Sequence, residues 1–235
     1  MTIQERLAQL DWKAIEASLW QRGHAKIEPL LTAEECDAVI SLYNKDEYFR
    51  SRIEMQRFRF GEGEYKYFKY PLPSLVQALR EHMYPCLAII ANTWSKALGE
   101  PGCFPMSYDQ LLTVCRQHGQ TKPTPLLLHY TARGYNCLHQ DLYGEVAFPL
   151  QLTVFLSRLD QDFTGGEFLL VEQRPRAQSR GEALTPEQGE IVIFATRYRP
   201  VRGTRGYYRV NMRHGVSTVH SGSRFTLGVI FHDAK

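Results

Sequence analysis

The spacing of apolar residues changes after the Pro-containing stretch at residues 121–125, and this change constrains the fold more than any other sequence feature. Beyond it the chain consists of short runs rich in β-branched and aromatic residues, separated by Gly, Pro and polar clusters. These runs are residues 126–130, 149–156, 167–171, 190–195, 209–219 and 224–232. Many short strands with frequent turns are typical of a sandwich or barrel, here one of the jelly-roll kind.

The part of the chain before residue 120 follows a helical pattern instead. Apolar residues recur at helical spacing near the start, Thr32 and Glu35 form a capping-box pattern, and Ser107 with Gln110 repeats it. The other expected elements are an extended piece at residues 24–30 and two helices at residues 74–84 and 85–98.

Together these patterns predict an α+β fold that is mainly β. We expect a double-stranded β-helix (jelly-roll) core with the N-terminal helices packed on one face. Internal repeats, low-complexity tracts and linkers are absent from the sequence. We therefore expect one domain spanning residues 1–235, in which residues 1–120 are mainly helical support and residues 121–235 form the jelly-roll core.

Several classes of protein are disfavoured by composition. The longest wholly apolar stretch, residues 86–91, is too short to span a membrane, and the charged start lacks the apolar core of a signal peptide. The five cysteines are scattered without a Cys-x-x-Cys motif. This usage indicates reduced thiols, so we expect a cytoplasmic protein without a membrane partner.

An arginine-rich tract is the strongest charge feature. It contains no acidic residue and comprises Arg197, Arg199, Arg202, Arg205, Arg209 and Arg213. The tract is interpreted either as an entrance for an anionic substrate or as a solvated rim paired with nearby glutamates. Tyrosines among the arginines suit peptide contacts and base stacking alike, so a protein or peptide partner is favoured and a nucleic acid is second.

A metal site is indicated by His139-Gln140-Asp141 together with His214. On an extended segment residues two apart share a face, so His139 and Asp141 can approach one ion. Two imidazoles and one carboxylate form the facial ligand set of non-haem Fe(II) oxygenases, which leaves three coordination positions open. His220 is the rival third ligand, but it lies too close to Arg224 in sequence for the expected arrangement.

Arg224 and Thr226 add a second part to this site. They lie on one face of the last predicted strand and can offer a guanidinium and a hydroxyl to one carboxylate. A turn at Ser221-Gly222 would return this strand beside the one that carries His214. The two strands would then aim a metal and an anion-binding group into one pocket.

These motifs resemble the signature of the Fe(II)/2-oxoglutarate-dependent dioxygenases. Tyr130 stands where many members keep a tyrosine that helps to bind 2-oxoglutarate, and the segment Phe163-Thr-Gly-Gly-Glu-Phe168 resembles the prolyl-hydroxylase branch. The resemblance covers residues 126–232. It implies Fe(II), 2-oxoglutarate as co-substrate, O2 and ascorbate. It also implies hydroxylation of a substrate C–H, expected to be a protein or peptide side chain, with release of succinate and CO2.

Two alternatives stay open at this point. His139-Gln-Asp141 also occurs in AlkB-type demethylases of alkylated bases in DNA or RNA, although this chain has Leu128 and Ile230 where those proteins carry Asn and Arg. The prolyl-hydroxylase pattern in turn commonly has Gly where this chain has Arg133. The second alternative is a non-enzymatic metal-binding jelly roll acting as a sensor, which the carboxylate anchor at Arg224 disfavours.

Overall fold

The computed structural model describes residues 1–100, 102–141 and 144–235. Its helices are α1 (Ile3–Ala8), α2 (Trp12–Arg22), α3 (Ala33–Ser41), α4 (Ser74–Ala97) and α5 (Tyr108–Gln117), with 3-10 turns at Leu42–Asn44, Asp46–Tyr48 and Met55–Phe58. Its strands are β1 (His24–Ile27), β2 (Phe49–Glu54), β3 (Gly61–Glu62), β4 (Glu64–Phe68), β5 (Leu126–Thr131), β6 (Tyr135–His139), β7 (Leu150–Phe155), β8 (Phe163–Gly165), β9 (Phe168–Gln173), β10 (Arg180–Leu184), β11 (Ile191–Ala195), β12 (Tyr198–Gly203), β13 (Gly206–Val216) and β14 (Val219–Val229).

Two antiparallel sheets form the core, as the predicted jelly roll requires. The first has the strand order β1-β11-β7-β14-β5-β4-β2, with β8 paired to the start of β14. The second has the order β10-β9-β13-β6-β3, with β12 paired to β13. The fold is therefore α+β and mainly β, which confirms the predicted class.

Strand β7 shows why the first sheet is buried on both faces. Leu150, Leu152 and Val154 belong to the large apolar cluster that also contains the helical side chains. The alternate residues Gln151 and Thr153 point the other way and line a cavity between the sheets. One face of this sheet thus packs on the helices, while the opposite face carries the polar groups of a site.

The helix ends follow from local chemistry. Thr32 and Glu35 form the predicted capping box at the start of α3, and Gly23 closes α2 with a left-handed backbone (φ 80°). Ser107 stands at the start of α5 as predicted, but its side chain makes no capping hydrogen bond. The capping pattern therefore predicted the start of this helix correctly, although the Ser107 side chain does not cap it.

The prediction of two helices at residues 74–84 and 85–98 is wrong. Helix α4 runs without a break from Ser74 to Ala97 with Pro85 inside it. A proline in a helix interior removes one backbone hydrogen bond. The loss is offset because one face of α4 is fully buried, including Leu79, Met83 and Leu87.

Other expectations about the strands also need correction. Strands β2, β3 and β4 lie in the part predicted to be helical, and β4 extends the first sheet by pairing with β5. Ser221 and Gly222 do not form a turn, because they lie inside β14, where Gly222 (φ 77°) follows an irregularity in the pairing with β8. The chain reverses earlier, between the end of β13 at Val216 and the start of β14 at Val219.

Across the described residues, no helix has both the length and the apolar character that a membrane crossing requires.

Candidate metal and co-substrate site

Strands β6 and β13 bring the three predicted metal ligands together. His139, the last residue of β6, pairs directly with His214 on β13, and Asp141 follows two residues after His139. The Asp141 carboxylate lies 3.5 Å from His139 Nε2 and 3.2 Å from His214 Nε2. One ligand atom from each residue lies within 4.8 Å of the other two. One ion placed between them can be reached by all three side chains, so the donor set fits Fe(II).

Neighbouring groups orient two of these side chains. The Nδ1 atom of His139 is 2.8 Å from the Cys137 carbonyl, which directs Nε2 toward the ligand cluster. The Gln151 amide donates a 2.7 Å hydrogen bond to Asp141 Oδ2. This bond holds the carboxylate in place and engages one of its oxygens.

The charges of the site favour the forms that bind a metal. Burial opposes ionisation of Asp141, but the charge of His214 and hydrogen bonds from both histidines outweigh it and hold the pKa of Asp141 well below its usual value. Burial and repulsion by His139 lower the pKa of His214. Burial also works against the charged form of His139, yet hydrogen bonding to Asp141 leaves the pKa of His139 raised. A metal ion would replace the proton that this environment attracts.

Arg224 and Tyr130 meet because they are paired residues on adjacent strands. Arg224 on β14 lies directly opposite Tyr130 on β5, and its guanidinium carbon is 5.5 Å from the centre of the Tyr130 ring. Thr226 follows on the same face of β14 and is 3% exposed. All three side chains line the cavity that the metal ligands also line.

The Arg224 guanidinium is buried with unused hydrogen-bonding capacity. Arg224 is 2% exposed, and its Nε and Nη1 atoms have no hydrogen-bond partner among the described residues. Burial lowers the pKa of Arg224 to about 10, so the group remains cationic at neutral pH. A buried cation without a partner carries a large desolvation penalty, which an anionic ligand would offset. This observation fits the far carboxylate of 2-oxoglutarate.

Tyr130 is set up to donate a hydrogen bond into the cavity. Burial raises the pKa of Tyr130 to about 12, so the phenol keeps its proton. The Asn136 side chain donates to the Tyr130 oxygen over 3.3 Å. Since that oxygen already accepts from Asn136, the O–H can point at a ligand.

The cavity has a volume of about 340 Å³. Its lining includes the buried side chains of Arg224, Thr226 and Tyr130, and its walls are mostly apolar. The other lining residues include Phe60, Tyr65, Leu126, Leu128, Leu138, Phe168 and Ile230. A pocket with apolar walls and a few convergent polar groups is the usual form of a small-molecule site.

Residues that sequence reasoning missed are Gln151 and Asn136. The sequence could have indicated Gln151, because an amide stands out in the apolar run of β7. Nothing in the sequence pattern indicated Asn136, since its contact with Tyr130 depends on how the chain turns between β5 and β6. The rival ligand His220 is exposed on β14 and is not part of the ligand cluster.

The arginine-rich tract does not form the wall of this cavity. None of Arg197, Arg199, Arg202, Arg205 and Arg209 is among its lining residues in the described ranges. Arg199 is 3% exposed and bonded to Glu172 at 2.5 Å, and Arg209 pairs with Glu100 at 2.7 Å. Arg209 therefore fits the interpretation as a solvated rim paired with glutamates, whereas Arg199 pairs with a glutamate but is buried. The exposed arginine that lines the cavity is Arg59.

Comparison with known proteins shows which family this chain belongs to. A family model named Oxygenase-NA, described as an oxygenase catalysing oxidative methylation of damaged DNA, matches residues 63–234. Two uncharacterized proteins of Mycobacterium tuberculosis, from strains CDC 1551 and H37Rv, are each 50% identical over 167 residues. That match covers 71% of this chain and 72% of each relative.

Solved structures with the same fold include several oxygenases. A prolyl-4-hydroxylase of Pseudomonas putida is 14% identical with a TM-score of 0.52, over 95% of this chain and all of the other. A 2OG-Fe(II) oxygenase family oxidoreductase of Burkholderia pseudomallei is 12% identical with a TM-score of 0.55, over 96% and 93%. A prolyl hydroxylase of Trichoplax adhaerens, solved with a peptide fragment, is 15% identical with a TM-score of 0.54, over 98% and 92%. The chain belongs to the Oxygenase-NA family, and it shares the fold of the 2OG-Fe(II) oxygenase from Burkholderia pseudomallei and of the prolyl hydroxylases.

Proposed function

We propose that this oxygenase oxidises an alkyl group on a damaged nucleobase. The main support for the co-substrate assignment is the buried guanidinium of Arg224, which lies in the same cavity as the ligand cluster. Its Nε and Nη1 atoms have no hydrogen-bond partner among the described residues. The match of residues 63–234 to a family described as acting on damaged DNA supports the substrate class. Apolar and aromatic walls around the ligand cluster also suit a flat base that has left its stack.

Each residue of the site has a proposed task. His139, Asp141 and His214 would hold Fe(II), and Gln151 would keep the Asp141 carboxylate oriented. Arg224 would pair with the far carboxylate of 2-oxoglutarate, with Thr226 and Tyr130 donating hydrogen bonds. When bound, the iron and 2-oxoglutarate supply the oxidising power, with O2 consumed and succinate and CO2 released.

The protein's own contribution is binding and exclusion of water. The apolar walls would limit the access of water to the ligand cluster, and the carboxylate anchor would fix the co-substrate relative to the metal. Because Tyr130 keeps its proton at neutral pH, it acts as a donor throughout and transfers no charge.

The test supplies the chain with Fe(II), 2-oxoglutarate and single-stranded DNA that carries an alkylated base. Succinate release and recovery of the unmodified base, measured by mass spectrometry of nucleosides, are the expected results. Asp141→Ala should lose both, whereas Asp37→Ala, at an exposed helical position, should keep both. Base recovery that persists in Asp141→Ala would contradict the metal assignment.

Hydroxylation of a protein or peptide side chain is the second candidate. It is supported by the fold shared with a prolyl hydroxylase that was solved with a peptide fragment. Peptides tested in parallel, with and without ascorbate, separate the two candidates: succinate release stimulated by a peptide and not by alkylated DNA would favour hydroxylation. Binding of metal and 2-oxoglutarate without turnover of any substrate would favour a sensor.

The cytoplasmic location and the use of ascorbate stay predictions.

A further inference from the structure

The segment Arg57-Phe58-Arg59-Phe60 presents two aromatic rings to solvent at the edge of the cavity. Phe58 is 53% exposed and Phe60 is 46% exposed. Their ring centres are 5.5 Å apart and their planes differ by 20°, so the rings are stacked on each other. Large exposed aromatics that lie together are uncommon on a surface without a binding role.

The backbone explains why the two rings meet. Met55–Phe58 is a 3-10 turn, and Arg59 follows with a left-handed backbone (φ 61°), which a non-glycine residue seldom adopts. Hydrogen bonds hold the segment in place, from Phe60 N to the Met55 carbonyl at 3.1 Å and from Cys137 N to the Phe60 carbonyl at 2.8 Å. The stacked pair is therefore preformed.

This segment is continuous with the proposed catalytic site. Arg59 and Phe60 line the cavity that contains His139, and Phe58 extends the aromatic surface outward from Phe60. Leu138, on the adjacent strand, also lines the cavity and is 41% exposed. A polymer whose reacting unit enters the cavity can lie across this surface.

The charge of the segment favours an anionic polymer. Arg57 and Arg59 flank Phe58, and both are exposed. Arg57 pairs with Glu54 at 2.8 Å, whereas Arg59 has no ion pair among the described residues. Aromatic faces stack with bases of any sequence, and arginines beside them contact phosphates.

We propose that Arg57–Phe60 is a stacking platform for the single-stranded nucleic acid that flanks the base in the cavity. Phe58 and Phe60 would stack with a neighbouring base, and Arg59 would contact a phosphate. The inference rests on the proposed function, because it assumes that the cavity receives a base.

The test measures binding of a fluorescent single-stranded DNA of about ten nucleotides to the full chain by fluorescence anisotropy. Phe58→Ala should weaken binding roughly tenfold, within the range measured for loss of one stacked base. Phe58→Leu, which stays apolar but loses the ring, should weaken binding similarly. Arg59→Asn, which removes the charge and tolerates the left-handed backbone, should lower the slope of log affinity against log salt by about 0.7.

Two control variants test whether the loss of DNA binding is specific to the segment Arg57–Phe60. Ile89→Ala removes an equally exposed apolar side chain from α4 and should bind as the parent does. Tyr207→Ala removes an exposed aromatic from the arginine-rich tract and should also leave binding unchanged. Because the substituted side chains are exposed, each variant should stay folded, and cooperative thermal unfolding verifies this.

Three results would overturn the platform: parental binding by Phe58→Ala, loss of binding in Tyr207→Ala alone, or displacement of the DNA by a peptide but not by a second oligonucleotide. If the proposed function is wrong and the platform is right, DNA should bind through Phe58 while its alkylated base stays unchanged. That outcome would support the platform and reject the reaction.

Discussion

At the scale of single residues, the protein buries one cation, Arg224, that forms no ion pair within 4.0 Å among the described residues. Most buried charges are paired, and Arg80 and Arg199 in this chain follow that rule. Arg224 departs from it, since aromatic rings of Tyr130, Phe155 and Phe163 surround its guanidinium carbon at 5.5–5.7 Å. Cation–π contacts compensate a buried charge only in part, so the stability of this region depends on the ligand.

Arg224→Met should therefore separate stability from co-substrate binding. Removal of a buried charge should leave the ligand-free protein as stable as the parent or more stable, by up to about 4 kcal/mol. The parent should gain roughly 2.7 kcal/mol from 2-oxoglutarate at a hundred times its Kd, and the variant should gain nothing measurable. Thermal unfolding under anaerobic conditions with Fe(II), with and without 2-oxoglutarate, measures both effects. Equal stabilisation of the two proteins would refute the anchor, and Arg202→Met at an exposed position is the control.

Gly166 makes room for the anchor. It has a left-handed backbone (φ 64°), and a Cβ there would lie 2.9 Å from Arg224 Cδ and 2.9 Å from Val219 Cγ2. Gly166→Ala should move the guanidinium, weaken 2-oxoglutarate binding roughly tenfold in calorimetric titration, and cost about 1 kcal/mol or more of stability. Gly181→Ala is the matched control because a Cβ there meets nothing within 4 Å. Unchanged affinity in Gly166→Ala would show that Arg224 does not need this space.

At the scale of elements, an ion pair joins the two strands on either side of β13. Glu172 on β9 accepts hydrogen bonds from Arg199 on β12 at 2.5 and 3.0 Å, and Arg199 also donates to the Trp20 carbonyl in α2. Burial opposes ionisation of Glu172, but Arg174 and Arg199 outweigh it and lower the pKa of the carboxylate. The pair thus links the second sheet to an N-terminal helix.

The stability that Glu172 confers should depend on pH. Because its pKa is lower in the folded protein, the contribution is complete above the unfolded-state pKa of about 4.3 and is lost as pH falls through the folded-state pKa. Glu172→Gln should cost roughly 3–5 kcal/mol at neutral pH, since Arg199 stays buried, and should lose less further stability on acidification than the parent. Urea unfolding from pH 7 to pH 3 measures this difference, with exposed Glu28→Gln as control. Parallel pH profiles of parent and Glu172→Gln would contradict the assignment.

The elements that were predicted correctly are those with a distinctive local sequence pattern. Strands β5, β7, β9 and β11 are dense apolar runs, and the capping box of α3 is local, so each lies where expected. Strands β2 and β4 were missed because they are the edge strand of the first sheet and its neighbour, where charged residues alternate with aromatic or apolar ones and burial is partial. Strand β12 was missed because its arginines indicated an entrance or a solvated rim, whereas Arg199 is buried.

The same reasoning applies to the site. The spacing of His139 and Asp141 was visible in the sequence, and the pairing of β6 with β13 brings His214 beside them. Gln151 stands out in an apolar run, but its role, like that of Asn136, depends on which strands lie side by side. Phe58 and Phe60 escaped notice because their stacking depends on the left-handed backbone of Arg59.

At the scale of the whole molecule, the two ends of the chain contribute to one structure. Arg80 of α4 is fully buried and bonds Asp233 at 3.0 Å and the Phe231 carbonyl at 2.6 Å, which ties the longest helix to the C-terminal residues. Strands before residue 120 extend both sheets of the core. We propose on this basis that residues 1–235 act as one domain.

Asp233→Asn tests this connection. The substitution leaves the Arg80 charge buried without its carboxylate, which should cost roughly 3–5 kcal/mol and lower Tm by roughly 6–20 °C. Glu145→Gln breaks an exposed pair with Lys235 at the same end of the chain and should leave Tm unchanged. Calorimetry should show one transition in every protein. Two separate transitions, or an unchanged Tm in Asp233→Asn, would contradict a single cooperative unit.

The position of β1 has a consequence for biosynthesis. This strand ends the first sheet by pairing His24 with Phe194, so the N-terminal strand has no partner until the ribosome has passed β11. At ordinary translation speeds that wait is on the order of ten to thirty seconds. A nascent chain released before residue 195 would expose an open strand edge and its apolar layer, which are the features that nucleate aggregation. Truncated products of this gene should therefore be substrates for chaperones and proteases.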